Sequence, residues 1–144
     1  MFDFKKTTLI FLSIIFLCGS SSFSQNKQID CENAITQMEM NYCAKQSYEK
    51  AQKALDKIYN NLVKVIEEKQ KDYDNEPQLT GKNLLDLFQD SQNQWIKYKE
   101  TAAGFNGAIY QGGSMQPLIY YNVLARITED RIKELKDLLE ELSM

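Results

Sequence analysis

Two cysteines, Cys31 and Cys43, constrain where the first long helix of this chain can begin. On one continuous helix they would lie about 18 Å apart, because an α-helix rises about 1.5 Å per residue. Disulfide partners need Cα atoms within about 7 Å of each other. The two residues can therefore pair only if the helix begins between them and the N-terminal arm folds back along it.

A disulfide also requires an oxidising compartment, and the start of the sequence has the layout of a secretory signal peptide. Lys5 and Lys6 precede an apolar run from Leu9 to Cys18, which small and polar residues follow. That run is too short to cross a bilayer, which takes about 20 residues. We therefore expect an exported protein, periplasmic or secreted, with no integral membrane segment after cleavage. A lipoprotein anchored at Cys18 is less favoured, because Leu17 is bulky where lipid-modification sites have a small residue.

The expected cleavage position follows Ser24, because Ser22 and Ser24 supply small side chains three residues and one residue before the cut. The chain then consists of a signal peptide, residues 1–24, and a single domain, residues 25–144. The mature domain keeps two cysteines, and an even count outside the cytoplasm predicts one disulfide. We expect no metal site, since the chain has no histidine and no second cysteine pair.

The charge of the mature chain disfavours some classes of partner. The full sequence has 17 basic and 20 acidic residues, and loss of the signal peptide leaves 15 against 19, a net charge of −4. This balance argues against nucleic acid or anionic lipid and mildly favours a basic partner.

The start of the first helix is predicted by a capping box. Thr36 and Glu39 have the spacing at which each side chain bonds the other's backbone N–H, so the helix begins near Gln37. Asn41 is interpreted as a further local hydrogen-bonding residue. Cys43 then lies near the second turn, within reach of the N-terminal arm.

Three segments have apolar residues at three- and four-residue steps, which predicts three helices. The stripes are Tyr48, Ala51, Leu55, Ile58, Leu62, Val65 and Ile66; Leu84, Leu87, Phe88, Ser91, Trp95, Tyr98 and Ala102; and Leu118, Tyr121, Leu124, Ile127, Arg131, Leu135, Leu138 and Leu142. Thr80 or Asn83 could cap the second helix, Gly104 to Ser114 is predicted to be a glycine-rich loop, and Pro117 fits the first turn of the third helix. We expect an all-α fold, an antiparallel three-helix bundle with a disulfide-tethered N-terminal arm.

Four residues of the second and third helices are given structural roles: Trp95, Tyr98, Arg126 and Arg131. Aromatic side chains at helical spacing usually bury a large area, so the first two are interpreted as the core and its rim. A buried arginine on an apolar stripe needs a carboxylate partner, for which Glu39 and Glu100 are the candidates.

Four segments of the mature chain, in this order, are similar to segments of a known family. They are TQMEMNYCAKQSYEKAQKALDKIY, SQNQWIKYKE, YQGGSMQPL and ARITEDRIKEL. Their order and spacing resemble those of the LprI-like lysozyme-inhibitor family of small exported bacterial helical domains. The resemblance implies a helical domain of a family whose best-known member inhibits lysozyme and whose other members mostly have no assigned activity.

The first function hypothesis is a cell-envelope binding protein that inhibits lysozyme-type muramidases by occluding the substrate cleft. Acidic helix faces would attract a basic enzyme, and the glycine-rich loop would enter its cleft. The predicted loop contacts are Phe105, Tyr110, Gln111 and Ser114, and the predicted steering residues are Glu67, Glu68 and Asp72. We expect neither catalytic residues nor a cofactor, since the chain has no histidine and no glycine-rich phosphate loop before a helix.

The second hypothesis is an envelope adaptor or structural protein that binds another exported protein, or itself, through a helix face and does not inhibit lysozyme. Its basis is the pair Tyr120 and Tyr121, of which only one is expected to point inward.

Overall fold

The computed structural model describes residues 29–76, 81 and 83–144, and three helices lie within them. They are α1 (Gln37–Asp74), α2 (Leu84–Ala108) and α3 (Gln116–Ser143). The described residues contain no strand, so the all-α prediction is confirmed. None of the described helices is long and apolar enough to cross a membrane. The expected signal peptide, its cleavage position after Ser24, and Cys18 lie outside the described residues.

Helix α1 begins at the predicted capping box. The Thr36 hydroxyl accepts a hydrogen bond from the Glu39 backbone N–H at 3.2 Å, and the Glu39 carboxylate accepts from the Thr36 N–H at 2.9 Å. Cys31 and Cys43 form a disulfide with their Cα atoms 5.5 Å apart. The arm therefore folds back along the start of α1, and the predicted disulfide is confirmed.

The helices run up, down and up, so that α2 is antiparallel to both α1 and α3. At one end the Asn41 side-chain amide donates to the Ser114 carbonyl at 3.0 Å, which joins the start of α1 to the connection between α2 and α3. At the other end the Leu84 N–H donates to the Gln70 side chain at 2.7 Å. We call the first of these the turn end. Helix α3 packs against both other helices, which touch each other far less.

The main core lies away from the turn end. Its buried residues are Leu55, Leu62, Ile66, Phe88 and Leu135, and the Tyr59 ring stacks on Phe88 with centroids 5.2 Å apart. Towards the turn end the buried residues of α2 are small, Ala103 and Gly107. A Cβ atom on Gly107 would lie 3.3 Å from the Tyr120 Cβ, so α2 and α3 approach closely there.

Helix α2 extends further than the sequence predicts. The predicted loop from Gly104 to Ser114 is wrong in its first half, because the helix continues through Gly104 and Gly107 to Ala108. Close packing against α3 requires a residue without a side chain at Gly107, and this tertiary contact outweighs the low helix propensity of glycine. The connection is thus residues 109–115, in which Gly112 has φ 77°, a conformation that favours glycine.

The predicted Asn83 cap of α2 and the predicted position of Pro117 in α3 are confirmed. The Asn83 side chain accepts from the backbone N–H groups of Leu85 and Asp86, at 2.9 and 3.1 Å. Pro117 lies in the first turn of α3. Thr80, the alternative cap, lies outside the described residues.

The predicted carboxylate partners of Arg131 are wrong. The Arg131 guanidinium pairs with Glu134, three residues further along α3, at 2.9 Å. Glu39 cannot serve, since its carboxylate closes the capping box at the far end of the bundle. Arg126 is exposed and pairs with Asp130 at 3.5 Å.

Candidate functional site

Helix α2 has an unexpected polarity, since it buries polar side chains and exposes apolar ones. Gln92 and Lys99 are buried, whereas Tyr98 is 61% exposed, Phe105 68% and Ile109 63%. Positions seven and eleven residues apart fall within about 40° of each other around a helix, so the three exposed residues share one face. The structural role predicted for Tyr98 as part of the core or its rim is therefore wrong, while Trp95 does pack against the core.

The buried face of α2 is fixed by contacts from α1. Lys99 is 3% exposed, and its ammonium group donates to the Gln52 side chain at 2.8 Å and to the Tyr48 hydroxyl at 3.3 Å. The same Nζ atom lies 4.7 Å from the Trp95 ring centroid and 5.2 Å from that of Tyr48. Aromatic faces and neutral oxygens thus accommodate the cation.

A contact from α3 fixes the same face. The Arg131 Nε donates to the buried Gln92 side chain at 3.2 Å, and its guanidinium carbon lies 5.9 Å from the Trp95 ring centroid. With Gln92 and Lys99 held inward, the opposite face of α2, which carries Phe105, must face solvent.

Seven exposed apolar side chains gather at the turn end. Four belong to the last turn of α2 and the connection to α3, and three belong to the arm and the first turns of α1. They are Phe105, Ile109, Tyr110 and Met115, together with Ile35, Met38 and Tyr42. We call these seven the apolar cluster. Exposed apolar groups gathered in one region are typical of an interaction surface.

The charge at the turn end is mainly negative, and the nearby Lys45 of α1 is paired with Glu49 at 3.7 Å. The sequence from Thr101 to Ala125 contains no charged residue. Between residues 29 and 44 the charged residues are three carboxylates, Asp30, Glu32 and Glu39. The pKa of the Asp30 carboxyl lies below its ordinary value, because the carboxylate accepts from the Asn33 side-chain amide and from the Glu32 backbone N–H. An apolar surface with a negative rim fits a partner that carries apolar groups among basic ones.

A groove of about 350 Å³ opens between α2 and α3 near the turn end. Its lining residues are Gly104, Gly107, Gln116, Pro117, Tyr120 and Tyr121. The Tyr121 ring lies 6.2 Å from Tyr48 of α1 and 5.3 Å from Tyr120. Both neighbouring tyrosines are half-buried, so the expectation that only one of them points inward is wrong. Because α3 packs against two helices, Tyr120 can face α2 while Tyr121 faces α1.

In the part of the chain that the structure describes, no group of three or more His, Cys, Asp or Glu residues could hold a metal ion.

The family model described as "Lysozyme inhibitor LprI" matches residues 30–135. The chain belongs to the LprI family. A protein of Rhizobium meliloti (strain 1021) described as uncharacterized is 32% identical over 130 residues, which is 90% of this chain and 92% of that protein. No solved structure matches the chain.

The predicted contact residues of this LprI-family protein lie together at the turn end. Phe105 is on the last turns of α2, and Tyr110, Gln111 and Ser114 are in the connection to α3, all exposed. Ser114 also accepts the hydrogen bond from Asn41 through its backbone, which brings the start of α1 beside them.

The predicted steering residues lie elsewhere. Glu67, Glu68 and Asp72 are exposed near the end of α1. Glu67 is 26 residues beyond Asn41, so the rise of the helix places it about 39 Å from the turn end. The structure thus does not bring the predicted acidic residues together with the predicted contacts.

Several exposed residues of the turn end were not predicted from the sequence. Ile35 and Met38 precede or begin a helix and belong to no apolar stripe, and Ile109 was assigned to a loop. Asp30 and Glu32 resemble any other charged residues of an arm. The available signal was the absence of charge from Thr101 to Ala125, which is unusual for a segment that is largely solvent-exposed.

Burial shifts the acid–base equilibria of Lys99 and Tyr48. Burial lowers the pKa of the Lys99 ammonium, an effect that Glu100 and Asp56 partly oppose. Burial also raises the pKa of the Tyr48 phenol, with smaller contributions from Tyr120, Glu100 and Asp56. Since folding weakens proton binding by Lys99, the charged ammonium destabilises the fold at any pH below its lowered pKa.

We expect Lys99→Met to raise the free energy of unfolding at pH 7 by about 1 kcal/mol, because methionine fills the site without burying a charge. The advantage over the wild type should shrink as the pH rises through the lowered pKa towards the ordinary value of 10.5, where unfolded wild-type chains also lose the proton. Urea denaturation at pH 7 and pH values near 10 measures both effects. Lys97→Met, at an exposed site on α2, is the matched control, and an advantage independent of pH would contradict the expectation.

Proposed function

We propose that this LprI-family protein is exported after removal of residues 1–24 and inhibits lysozyme-type muramidases by covering their substrate cleft with the turn end. The observation that carries the proposal is the apolar cluster, which an isolated protein would have no reason to expose. The family match supports lysozyme as the class of partner. The Cys31–Cys43 disulfide supports an oxidising compartment.

The mechanism is steric occlusion without catalysis by this chain. Phe105, Tyr110 and their apolar neighbours would bury their surface against the cleft of the enzyme. Large aromatic side chains at the centre of an interface commonly carry most of its binding energy. Gln111 and Ser114, which follow Tyr110 in the connection, would supply polar contacts at the edge.

Electrostatic attraction would come from the turn end itself. Asp30 and Glu32 are exposed on the arm, and no basic residue accompanies them between residues 29 and 44. A basic partner would therefore meet a negative surface beside the apolar cluster, which raises the association rate. Glu67, Glu68 and Asp72 contribute to the net charge but lie at a distance from this surface.

An adaptor role through a helix face is the second candidate function, but its original basis is lost. Tyr120 and Tyr121 are both half-buried and contact neighbouring rings, so they do not form the pair with one inward and one outward ring on which this role was based, although both line the groove between α2 and α3. What remains for an adaptor is the exposed face of α2 with Tyr98 and Phe105, which a partner other than lysozyme could cover.

The double substitution Phe105→Ala and Tyr110→Ala is expected to weaken inhibition at least about thirtyfold, since two central aromatic contacts would be lost. A turbidity assay of peptidoglycan lysis with c-type, g-type and i-type lysozymes measures this directly. Tyr73→Ala is the control, because Tyr73 is 43% exposed, close to the 41% of Tyr110, but lies at the end of α1. Equal inhibition by wild type and double variant would show that the turn end is not the inhibitory surface.

A further inference from the structure

Gly104 is a glycine for which the fold itself gives no reason. It lies inside α2, where glycine is less favourable than alanine because it loses more backbone freedom on folding. Gly107, one turn further, is explained by the 3.3 Å approach to the Tyr120 Cβ atom. A Cβ atom on Gly104 would meet nothing within 4 Å, and its backbone conformation is helical. The missing side chain leaves open space that the chain does not fill.

That space is the groove between α2 and α3. Gly104 and Gly107 line one side, and Tyr120, Tyr121 and Pro117 line the other. A volume of about 350 Å³ is at the small end of ligand-binding sites, so it fits one side chain rather than an extended ligand. The lining is mostly apolar, and its polar side-chain groups are the Gln116 amide and the hydroxyls of Tyr120 and Tyr121.

The groove favours an apolar side chain over a sugar as its occupant. A sugar ring carries several hydroxyl groups, and each that is buried without a hydrogen-bond partner costs binding free energy. An aromatic or large aliphatic side chain needs no such partners and could stack on the tyrosines.

The net negative charge of the chain and the location of its acidic arm at the turn end favour a basic protein as the carrier of this side chain. The turn end has carboxylates at Asp30 and Glu32, and the uncharged segment from Thr101 to Ala125 includes the whole groove lining. A basic protein surface is thus complementary to the surroundings, and an apolar residue at its centre is complementary to the groove.

We propose that the groove lined by Gly104, Tyr120 and Tyr121 receives one aromatic or large aliphatic side chain of the inhibited lysozyme, and that Gly104 is glycine to leave room for it. The inference rests on the proposed function and adds a specific contact to it. Insertion into the groove and contact with the apolar cluster would together hold the enzyme on two faces of α2.

Gly104→Leu fills the groove and tests the proposal. The variant should melt at the wild-type temperature or above, because a helical glycine is replaced by a good helix former where a Cβ atom has room. Its affinity for the inhibited lysozyme, measured by isothermal titration calorimetry, should fall at least about tenfold, and inhibition should fall in parallel. Gly104→Ala, which adds a single methyl group, should stabilise the fold similarly and lose less affinity. Gln94→Leu introduces the same side chain on an exposed part of α2 about 15 Å away and should bind normally.

The possible outcomes separate this inference from the proposed function. If wild type and Gly104→Leu bind a lysozyme equally, the groove is not the contact, although inhibition stands. If the wild type binds oligomers of N-acetylglucosamine and Gly104→Leu does not, while lysozyme binding is unchanged, the groove is a sugar site and the inference is wrong. If no lysozyme of the three classes binds the wild type, the inference and the proposed function both fail.

Discussion

Removal of the Cys31–Cys43 disulfide is expected to lower the free energy of unfolding by about 3 kcal/mol. The crosslink closes a loop with a sequence separation of 12 and so restricts the unfolded chain. The expected loss is large for a domain of this size, whose total stability is about 5–15 kcal/mol. The double variant Cys31→Ser and Cys43→Ser should therefore denature at a clearly lower urea concentration, as followed by circular dichroism. Serine is suitable because Cys31 is exposed and Cys43 is only half-buried.

The same variant should also inhibit less well, for a reason separate from stability. The disulfide fixes the arm that carries Asp30, Glu32 and Ile35 beside the start of α1. Without it, ordering the arm on binding would cost conformational entropy. Reductant should bring the wild type to the stability of the variant and leave the variant itself unchanged. Coincident denaturation curves for wild type and variant without reductant would contradict the expectation.

The starts of the three helices were predictable because their determinants are local. The Thr36 and Glu39 capping box, the Asn83 cap and the position of Pro117 each depend on residues within three or four positions of one another. The disulfide followed from the first of these, since it requires the helix to start between Cys31 and Cys43. Short-range hydrogen bonds and chain geometry therefore determine where the helices begin and how the arm is attached.

The rotation of α2 was not predictable, because its determinants are distant in sequence. Hydrophobic periodicity favours Tyr98 as a buried residue and Lys99 as a solvated one, and the structure has the reverse. The oxygens that accept from Lys99 belong to Tyr48 and Gln52, separated from it by 51 and 47 residues. No local sequence pattern of α2 indicates that Tyr48 and Gln52 of α1 lie opposite Lys99 in the folded bundle.

The proposed contact surface was predictable only in part, for the same reason. The connection with Tyr110 stands out in the sequence through its glycines, and it is exposed in the structure, while its role as a contact region stays a prediction. The negative rim does not stand out, since it depends on the disulfide and on the Asn41 contact to Ser114 bringing the arm to the turn end. Conflicts between local pattern and observed burial, as in α2, are expected where a surface serves a partner.

Reducing the negative charge of the arm is expected to slow association with a basic lysozyme about tenfold or more at low ionic strength. The variant Asp30→Asn and Glu32→Lys makes the net charge three units more positive. Asparagine at position 30 keeps a side-chain oxygen to accept from the Glu32 backbone N–H, so the arm retains its turn. The wild-type Asp30 carboxylate should stay ionised in mildly acidic solution as well, because its pKa is lowered. Surface plasmon resonance gives the association and dissociation rates, and steering should change mainly the former.

The control is the double variant Glu67→Lys with Glu68→Gln, which also makes the net charge three units more positive. Its substitutions lie about 39 Å from the turn end, so it distinguishes local steering from attraction by the overall charge. The Debye length is about 30 Å at 0.01 M salt and about 10 Å at 0.1 M, so charges at that distance are largely screened even at low salt. We expect this control to associate nearly as fast as the wild type, and the difference between the variants to vanish near 1 M salt. Equal slowing by both would mean that only net charge matters. If only the control associates more slowly, the enzyme binds near the end of α1. That result would contradict both the apolar cluster and the groove as contact sites.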